Sequence, residues 1–290
     1  MLPDEACFDL HKCHKDFRVG LIAADPLLQG HDAIVFVEAF SDSHRELILQ
    51  RLLLEYPYQG RILGADTVGL QDGGVIILSK WSIEAEDQTI FNDRTGVDWF
   101  ADKGVNYAQI NKAGQLYHVF GTHLDSAQNA GDRAIPTLQL RQMASFIKER
   151  SIGSGEAVLM AGDFNIDKNG DNGPFGSKYS RILTTLNASQ PPIEGFAFST
   201  NPAGQWLDYV LYSNGHLQPN RSGNRVLKPR DGGGSSLSAD AASVFSFWTF
   251  ISVYGIFELI DKGWKHVDSR RKRPGGFEPV RRSAGQVLPQ

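Results

Sequence analysis

The stretch Val158-Leu159-Met160-Ala161-Gly162-Asp163-Phe164-Asn165 decides the fold and indicates the chemistry. Its apolar first half has the composition of a buried strand, and Gly162 marks the place where that strand ends. Asp163 and Asn165 stand two positions apart, so on an extended chain both side chains face the same side. A carboxylate and a carboxamide placed in this way suit a phosphate held on a hard metal ion. An Asx turn that closes the strand is the alternative interpretation of the same pair.

Three further polar residues stand at the ends of apolar runs. Glu38 follows Ala33–Val37, where a buried carboxylate requires either a Lys or Arg partner or a metal ion. His123 ends the run through Gly121 and Thr122, where it is either a structural histidine or a donor to a phosphoryl oxygen. Asp208 begins the run after Leu207, and it either accepts the ring N–H of His123 or caps a loop. Because ligand sites form outside strand ends, we expect these side chains to meet.

The remaining pattern predicts a four-layer α/β/β/α sandwich in the α/β (α+β) class, with two packed sheets and helices outside. Short buried strands outnumber helices, and hairpins mix with crossover connections, which argues against a purely parallel sheet. Capping-box spacing over Ser43–Glu46 predicts the start of a helix that closes near Pro57. A second helix is predicted over 135–150, and strands are predicted over 33–37, 74–79, 106–110, 117–121, 157–161 and 207–212, with a hairpin turn at 112–114.

Length and composition fit one large α/β domain or two small ones. The chain has 290 residues, of which 41% are hydrophobic, and its net charge of -4 gives no general attraction to nucleic acid. Cys7 and Cys13 either pair or stay reduced. We expect a phosphodiesterase-like domain over 1–260, divergent from about 232, and a basic, disordered tail over 261–290. The uncharged run Ala241–Phe257 is short for a membrane span, so terminal core strands are predicted there.

The sequence resembles the endonuclease/exonuclease/phosphatase superfamily, in particular its bacterial neutral sphingomyelinase (sphingomyelinase C) branch. Phe36–Phe40 resembles the metal-ligand segment, and Leu159–Asn165 resembles the catalytic strand end. The remaining similar segments are Asp72–Trp81, Ala101–Gly104, Tyr117–His123 and Trp206–Tyr209. The similarity runs from about Met1 to Asp231.

The resemblance implies a site, a cofactor and a substrate. Glu38, with Asp163 and Asn165, would bind a divalent metal, most often Mg²⁺. His123 and Asn165 would stabilise the phosphoryl transition state, and Asp163 would position the acid/base machinery. The implied enzyme is a sphingomyelin phosphodiesterase, which uses water to release ceramide and phosphocholine. Its partner would be sphingomyelin or a related phospholipid at a membrane surface, with no nucleic acid, and we expect a monomer.

Two departures from the family pattern lead us to expect impaired activity. The family carries an Asn on a first strand that precedes Met-Leu-Pro, whereas here Met1-Leu2-Pro3 opens the sequence. We therefore expect that strand to be missing and a sheet edge to be exposed. The family's closing Asp-His pair, whose His is the general base, has no counterpart after Asp231. One alignment puts Asp240 on the Asp, in a supporting role, and Ala241 on the His.

Localisation and two other functions remain open at this point. The resemblance implies secretion, although residues 1–4 do not start a signal peptide. Another phosphoesterase or nuclease of the superfamily would use the same metal site, but a nuclease should present a basic surface. A non-catalytic membrane-binding module would instead use Phe245, Phe247, Trp248 and Phe250, followed by the basic stretch from Lys262.

Overall fold

A computed structural model describes residues 15–65, 71–126, 134–170, 179–193, 200, 204–224, 252–257 and 264–265. In chain order the helices are α1 (Lys15–Ala24), α2 (Asp42–Leu52), α3 (Ile135–Glu149) and α4 (Tyr179–Thr185). The strands are β1 (Ala33–Val37), β2 (Tyr58–Gln59), β3 (Ile76–Ser79), β4 (Ser82–Ile90), β5 (Gly104–Lys112), β6 (Gln115–His123), β7 (Ala157–Asp163), β8 (Ala188–Ser189), β9 (Asp208–Ser213), β10 (Gln218–Pro219), β11 (Ser252–Phe257) and β12 (Trp264–Lys265). Short 3₁₀ turns occupy Pro26–Leu28 and Gly96–Phe100.

Two sheets carry the fold. The smaller has the strand order β11-β1-β3-β2, and the larger has the order β4-β5-β6-β7-β9-β8. In the larger sheet β6 and β7 run parallel, so their carboxyl ends meet and His123 lies opposite Asp163. β9 runs antiparallel to β7 and pairs its first residue, Asp208, with Asp163. The larger sheet therefore brings three of the predicted polar residues to one edge.

Three apolar clusters show that the sandwich has four layers. The central cluster lies between the sheets and includes Val35 and Val37 of the smaller sheet with Val119 and Leu159 of the larger. A second cluster packs Phe146 and other residues of α3 and α4 against the outer face of the larger sheet. The third packs α1 and α2 against the smaller sheet. Helices on both outer faces cover the apolar side chains that point away from the central layer, which confirms the predicted architecture.

The hairpin of β5 and β6 is the best-predicted element. Its strands run two residues beyond the predicted ends, and the turn lies at Ala113 and Gly114. The strand β4 beside it was not predicted. Its sequence, Ser-Ile-Glu-Ala-Glu-Asp-Gln-Thr-Ile, is too polar for the apolar signature of a buried strand. β4 is an edge strand, and charged side chains on an edge prevent pairing with other molecules.

The predicted capping box was wrong in its position. Helix α2 begins at Asp42, its N-cap is Ser41, and Ser41 makes no side-chain capping bond. The Ser41 hydroxyl instead lies 2.6 Å from the Nδ1 atom of His44. The helix also ends at Leu52, before the predicted end near Pro57, and a turn over the next residues leads to β2.

We expected an exposed sheet edge where the first strand of the family is missing, and in the structure β1 has a neighbour on each side. β11 runs antiparallel to β1, with Ala33 opposite Phe257 and Val37 opposite Ser252. This confirms a strand in the last part of the uncharged run, whereas residues 241–251 lie outside the described residues. No helix of the described ranges has the length and apolar character needed to cross a bilayer. The tail over 266–290, Cys7, Cys13, Asp240 and the proposed aromatic surface at 245–250 also lie outside those ranges.

Candidate metal and phosphate site

Three of the predicted residues form a cluster that fits a metal ion. Glu38, His123 and Asp163 each offer one ligand atom, and these atoms all lie within 4.8 Å of one another. Glu38 comes from the end of β1 in the smaller sheet, while the other two end β6 and β7 of the larger sheet. The cluster therefore forms only because the two sheets pack face to face with these strand ends together. It is the single group of this kind in the described part of the chain.

The backbone at Glu38 turns sharply out of its strand. Glu38 has a φ of 57°, in the left-handed region that non-glycine residues seldom adopt. The next residue, Ala39, donates its N–H to the Gly74 carbonyl at 2.9 Å. Arg45 of α2 donates to the Ala39 carbonyl at 2.6 Å and to the Asp72 carboxylate at 2.9 Å. These bonds hold a conformation that costs about 1–3 kcal/mol, which is common where a side chain is positioned for function.

Two hydrogen bonds, to Asp163 and to Leu124, fix the position of Asn165. Its backbone N–H donates to the Asp163 Oδ1 atom at 2.7 Å, so the predicted Asx turn and the predicted site coexist at this strand end. Its side-chain Nδ2 donates to the Leu124 carbonyl at 2.7 Å, which turns the amide oxygen the other way. Asn165 also has a positive φ of 48°. The Nδ2 bond leaves the amide oxygen as the atom that could bind a metal, and this role of Asn165 stays a prediction.

The protein alone does little to stabilise the ionised form of the carboxyl groups in the site. Burial, and secondly the nearby Asp163, raise the pKa of Glu38 to about 8. Burial also raises the pKa of Asp163 to about 6, against the lowering effects of the Asn165 N–H and Lys103. The pKa of Asp208 is raised by burial and by Asp163. Carboxyl groups this close cannot all be charged without a cation, and a bound divalent ion would supply one.

Lys103 is the cation within the site, and its ammonium group is fully engaged. Only 3% of Lys103 is exposed. Its Nζ atom lies 3.0 Å from the Asp98 carboxylate, 3.0 Å from the Leu124 carbonyl and 3.2 Å from the Nε2 atom of His123. Since an ammonium group has three hydrogens, these acceptors use all of them. Lys103 therefore leaves the charges of Glu38 and Asp208 without a hydrogen-bonded counterion.

His123 is held as a neutral imidazole. Burial, and secondly the charge of Lys103, hold the pKa of His123 well below its usual range. Because the Nε2 atom accepts from the Lys103 ammonium, the ring proton is on Nδ1. That Nδ1 atom is buried and has no hydrogen-bond partner in the structure. A buried N–H without a partner is costly, and the role of His123 as a donor to a phosphoryl oxygen stays a prediction.

Asp208 lies beside the site without binding His123. Its carboxylate interacts with Thr200, and its Oδ1 atom is buried with no hydrogen-bond partner in the structure. The ring N–H of His123 that Asp208 was predicted to accept makes no bond to it. An unsatisfied buried carboxyl oxygen next to Asp163 is costly, and a bound metal ion would offset that cost by stabilising the ionised carboxylates.

Lys103 and Asp98 are site residues that the sequence analysis missed. The segment Ala101–Gly104 was singled out as similar to the family, but no role was given to its lysine. A local signal was present, since Lys103 directly precedes Gly104 and the buried strand β5. A lysine at a buried strand end needs partners just as Glu38 does. Asp98 gave no such signal because it lies on a 3₁₀ turn without a periodic pattern.

The chain is similar to known proteins of one family. Residues 19–243 match the Endonuclease/Exonuclease/phosphatase family. Sphingomyelinase C 2 of Leptospira interrogans is 36% identical in an alignment that covers 70% of this chain and 36% of that relative. Sphingomyelinase C of Bacillus cereus is 32% identical in an alignment that covers 73% of each chain.

A solved structure supports both the fold and the metal. Beta toxin from Staphylococcus aureus, crystallised as a mutant with bound magnesium ions, superimposes with a TM-score of 0.68 at 28% identity. The superposition covers 74% of this chain and 83% of the toxin. The family match covers more than half of the sequence and includes Glu38, His123 and Asp163. The chain therefore belongs to the endonuclease/exonuclease/phosphatase family, and within it resembles the bacterial sphingomyelinases C.

Proposed function

We propose that the protein is a Mg²⁺-dependent phosphodiesterase that hydrolyses sphingomyelin to ceramide and phosphocholine. The observation that carries the proposal is the convergence of Glu38, His123 and Asp163 within 4.8 Å at the ends of three strands. The names of the relatives in Leptospira and Bacillus support sphingomyelin as the substrate. We further propose, from the resemblance to this branch of the family, that it acts outside the cell at a membrane surface.

The donor set fits a hard divalent ion. The carboxylates of Glu38 and Asp163 and the amide oxygen of Asn165 are the oxygen ligands that Mg²⁺ prefers. The raised pKa values of Glu38 and Asp163 indicate that the carboxylates lack a counter-charge, and the unsatisfied Asp208 Oδ1 atom indicates the same. When bound, the metal would supply Lewis-acid stabilisation of charge on a phosphoryl oxygen.

The protein side chains would divide the remaining work. His123 would donate its Nδ1 hydrogen to a non-bridging phosphoryl oxygen, where negative charge grows as water attacks phosphorus. Asp163 would orient that water and accept its proton. As the new P–O bond forms, the bond to the ceramide oxygen breaks, and that oxygen takes a proton as ceramide leaves. Lys103 would keep His123 neutral and hold the hydrogen on Nδ1.

The rate of this chemistry is a separate part of the proposal. No Asp-His pair follows Asp231, so we propose that the chain turns over more slowly than Sphingomyelinase C of Bacillus cereus. Without the family's C-terminal histidine the proton of the water would pass to Asp163 instead, and loss of the usual general base costs typically about 10²–10⁴-fold. Phosphocholine release by the two proteins, measured side by side, tests whether this chain is the slower enzyme. Equal turnover would contradict the proposed impairment.

The test of the activity itself is phosphocholine release from sphingomyelin with Mg²⁺ and with EDTA. We expect release with Mg²⁺ and none with EDTA or in Glu38→Gln. The matched control is Glu46→Gln, which alters an exposed glutamate on α2 and should leave the rate unchanged. Release that persists in EDTA would refute metal dependence. Cleavage of plasmid DNA without cleavage of sphingomyelin would favour the nuclease alternative.

A further inference from the structure

Two large aromatic side chains are exposed beside the site, where the mechanism gives them no role. Trp99 is 58% exposed and Phe100 is 51% exposed. The other large exposed apolar side chains of the described residues, Leu53, Leu54 and Tyr58, are grouped at and just beyond the C-terminal end of α2. Adjacent exposed aromatics are unusual on a soluble surface and indicate a binding surface. Tryptophan in particular is favoured at the boundary between lipid and water.

The position of these residues connects them to the candidate metal and phosphate site. They follow Asp98 on the 3₁₀ turn Gly96–Phe100, and the Asp98 carboxylate binds Lys103 at 3.0 Å. Lys103 in turn contacts the Nε2 atom of His123 at 3.2 Å. Consecutive Cα atoms are about 3.8 Å apart, so the backbone of the aromatic pair lies within about 8 Å of Asp98, a direct partner of Lys103.

The turn that carries the pair is held rigidly. The Asp98 carboxylate accepts the backbone N–H and the hydroxyl of Ser126, at 3.0 and 3.1 Å. At the start of the turn, the Thr95 N–H donates to the buried Asp125 carboxylate at 2.9 Å. At its end, the Asp102 N–H donates to the Gln71 carbonyl at 3.0 Å. The turn is thus fixed at both ends. Because the turn is already ordered, binding through Trp99 and Phe100 would not carry the entropy cost of ordering it.

Arg94 orients the tryptophan. Its guanidinium lies 5.7 Å from the centre of the Trp99 ring and is tied to the Asp102 carboxylate at 2.7 Å. A cation therefore already occupies the ring, which makes Trp99 a poor receptor for the trimethylammonium of a choline headgroup. Insertion at a hydrocarbon-water boundary does not require a free ring face. It requires an apolar ring with a polar group at its edge, which Trp99 provides.

We propose that Trp99 and Phe100 form a lipid-docking rim that inserts into the interface of a phospholipid bilayer and brings the phosphate site to the headgroups. The inference rests on the proposed function for its choice of partner, because an enzyme that acts on a bilayer lipid must hold its site at the headgroup level. The rim itself is defined by the exposure of Trp99 and Phe100 and by the hydrogen bonds that hold their turn, neither of which depends on catalysis.

The test measures binding of the full chain to vesicles of sphingomyelin and phosphatidylcholine, in EDTA so that no hydrolysis occurs. Trp99→Ser and Phe100→Ser should each weaken sedimentation with vesicles on the order of tenfold. Leu54→Ser is the matched control, because Leu54 is 99% exposed but lies beyond the far end of α2. It should bind as the unaltered protein does. Unchanged binding of the Trp99→Ser, Phe100→Ser double variant would overturn the proposal.

A second measurement keeps the proposal testable if a serine variant folds poorly. Vesicles with brominated acyl chains quench tryptophans that reach the lipid, and Trp99→Phe keeps an aromatic ring while removing that reporter. We expect it to bind within a few-fold of the unaltered protein and to lose most of the quenching. Quenching that persists in Trp99→Phe would show that another of the five tryptophans inserts, and would refute the rim.

Hydrolysis separates the two proposals. With Mg²⁺, the serine variants should lose more activity on sphingomyelin vesicles than on a water-soluble phosphocholine ester. If the unaltered protein hydrolyses neither substrate, the proposed function fails while the vesicle-binding result still decides the rim. A dimer that Trp99→Ser dissociates, with vesicle binding unchanged, would assign the aromatic pair to self-association and overturn lipid docking.

Discussion

Replacing Glu38 by glutamine should stabilise the metal-free protein while abolishing metal binding. The pKa of Glu38 is raised from its ordinary value of 4.5 to about 8, chiefly by burial. An acid whose pKa is raised by folding stabilises the protein fully below pH 4.5 and loses that contribution as pH rises through 8. Glutamine does not ionise, so the stability of the Glu38→Gln variant should not decrease over this pH range.

The magnitude follows from the same pKa values. Above pH 4.5, ionisation of the Glu38 carboxyl lowers the free energy of the unfolded chain by about 1.36 kcal/mol for each pH unit. In the folded protein the carboxyl remains protonated until about pH 8, so the free energy of unfolding decreases by the same amount. At pH 5 the expected stabilisation by glutamine is therefore about 1 kcal/mol. At pH 7 it is about 3 kcal/mol, which is a large part of the stability of an ordinary domain.

The assay is urea unfolding at pH 5 and pH 7 in EDTA, repeated with saturating Mg²⁺. In EDTA, Glu38→Gln should be the more stable protein, by an amount that increases with pH. Mg²⁺ should then raise the midpoint of the unaltered protein and leave the variant unchanged, because only a bound ligand shifts the folding equilibrium. The control Glu46→Gln should lie within about 0.5 kcal/mol of the unaltered protein throughout.

Two results would refute the reasoning. A Glu38→Gln variant no more stable than the unaltered protein at pH 7 would show that the carboxyl has a counter-charge in the folded protein. A stabilisation that is equal at pH 5 and pH 7 would show that the effect comes from packing and not from ionisation. Glu38 is partly exposed, so water near its carboxyl reduces the magnitude of the stabilisation and keeps its direction.

Three further predictions follow from the site and its supporting strands. Because Glu38 holds its proton to about pH 8, Mg²⁺ should bind roughly 50-fold more tightly at pH 8 than at pH 6 by calorimetry, and equal affinity would contradict this. His123→Gln should lower kcat for phosphocholine release by about 10²–10³-fold with Mg²⁺ affinity within a few-fold, whereas a lost affinity would make His123 a ligand. Gly162→Ala should cost roughly 2–4 kcal/mol in urea unfolding, since a Cβ atom would lie 1.9 Å from the Thr122 carbonyl oxygen at a φ of 141°. In the control Gly114→Ala the added atom meets nothing within 4 Å, so only backbone strain of about 1–2 kcal/mol is expected.

Much of the fold could be predicted because its strands are short apolar runs with polar ends. The run before Glu38 was predicted with its bounds, and the hairpin of β5 and β6 was predicted with its turn. The edge strand β4 was not, because a strand exposed to solvent needs no apolar pattern. The start of α2 was misplaced because capping boxes are local patterns, and here Ser41 binds His44 instead.

The sequence by itself determined which residues stand at the strand ends. Glu38, His123, Asp163 and Asn165 were chosen from local patterns alone, since a polar side chain after an apolar run must leave the core. The tertiary structure decided which of them meet. Glu38 and His123 belong to different sheets and are separated by 85 positions in the chain, so only the packing of the sheets brings them together.

The tertiary structure also decided the charge state of the site. The Lys103 ammonium fixes the proton of His123, and burial raises the pKa of Glu38. Both effects depend on distances and on the exclusion of water, which arise when the sheets close and cannot be obtained from the order of residues. The partner of Asp208 was decided in the same way, since Thr200 reaches its carboxylate through folding of the chain between them.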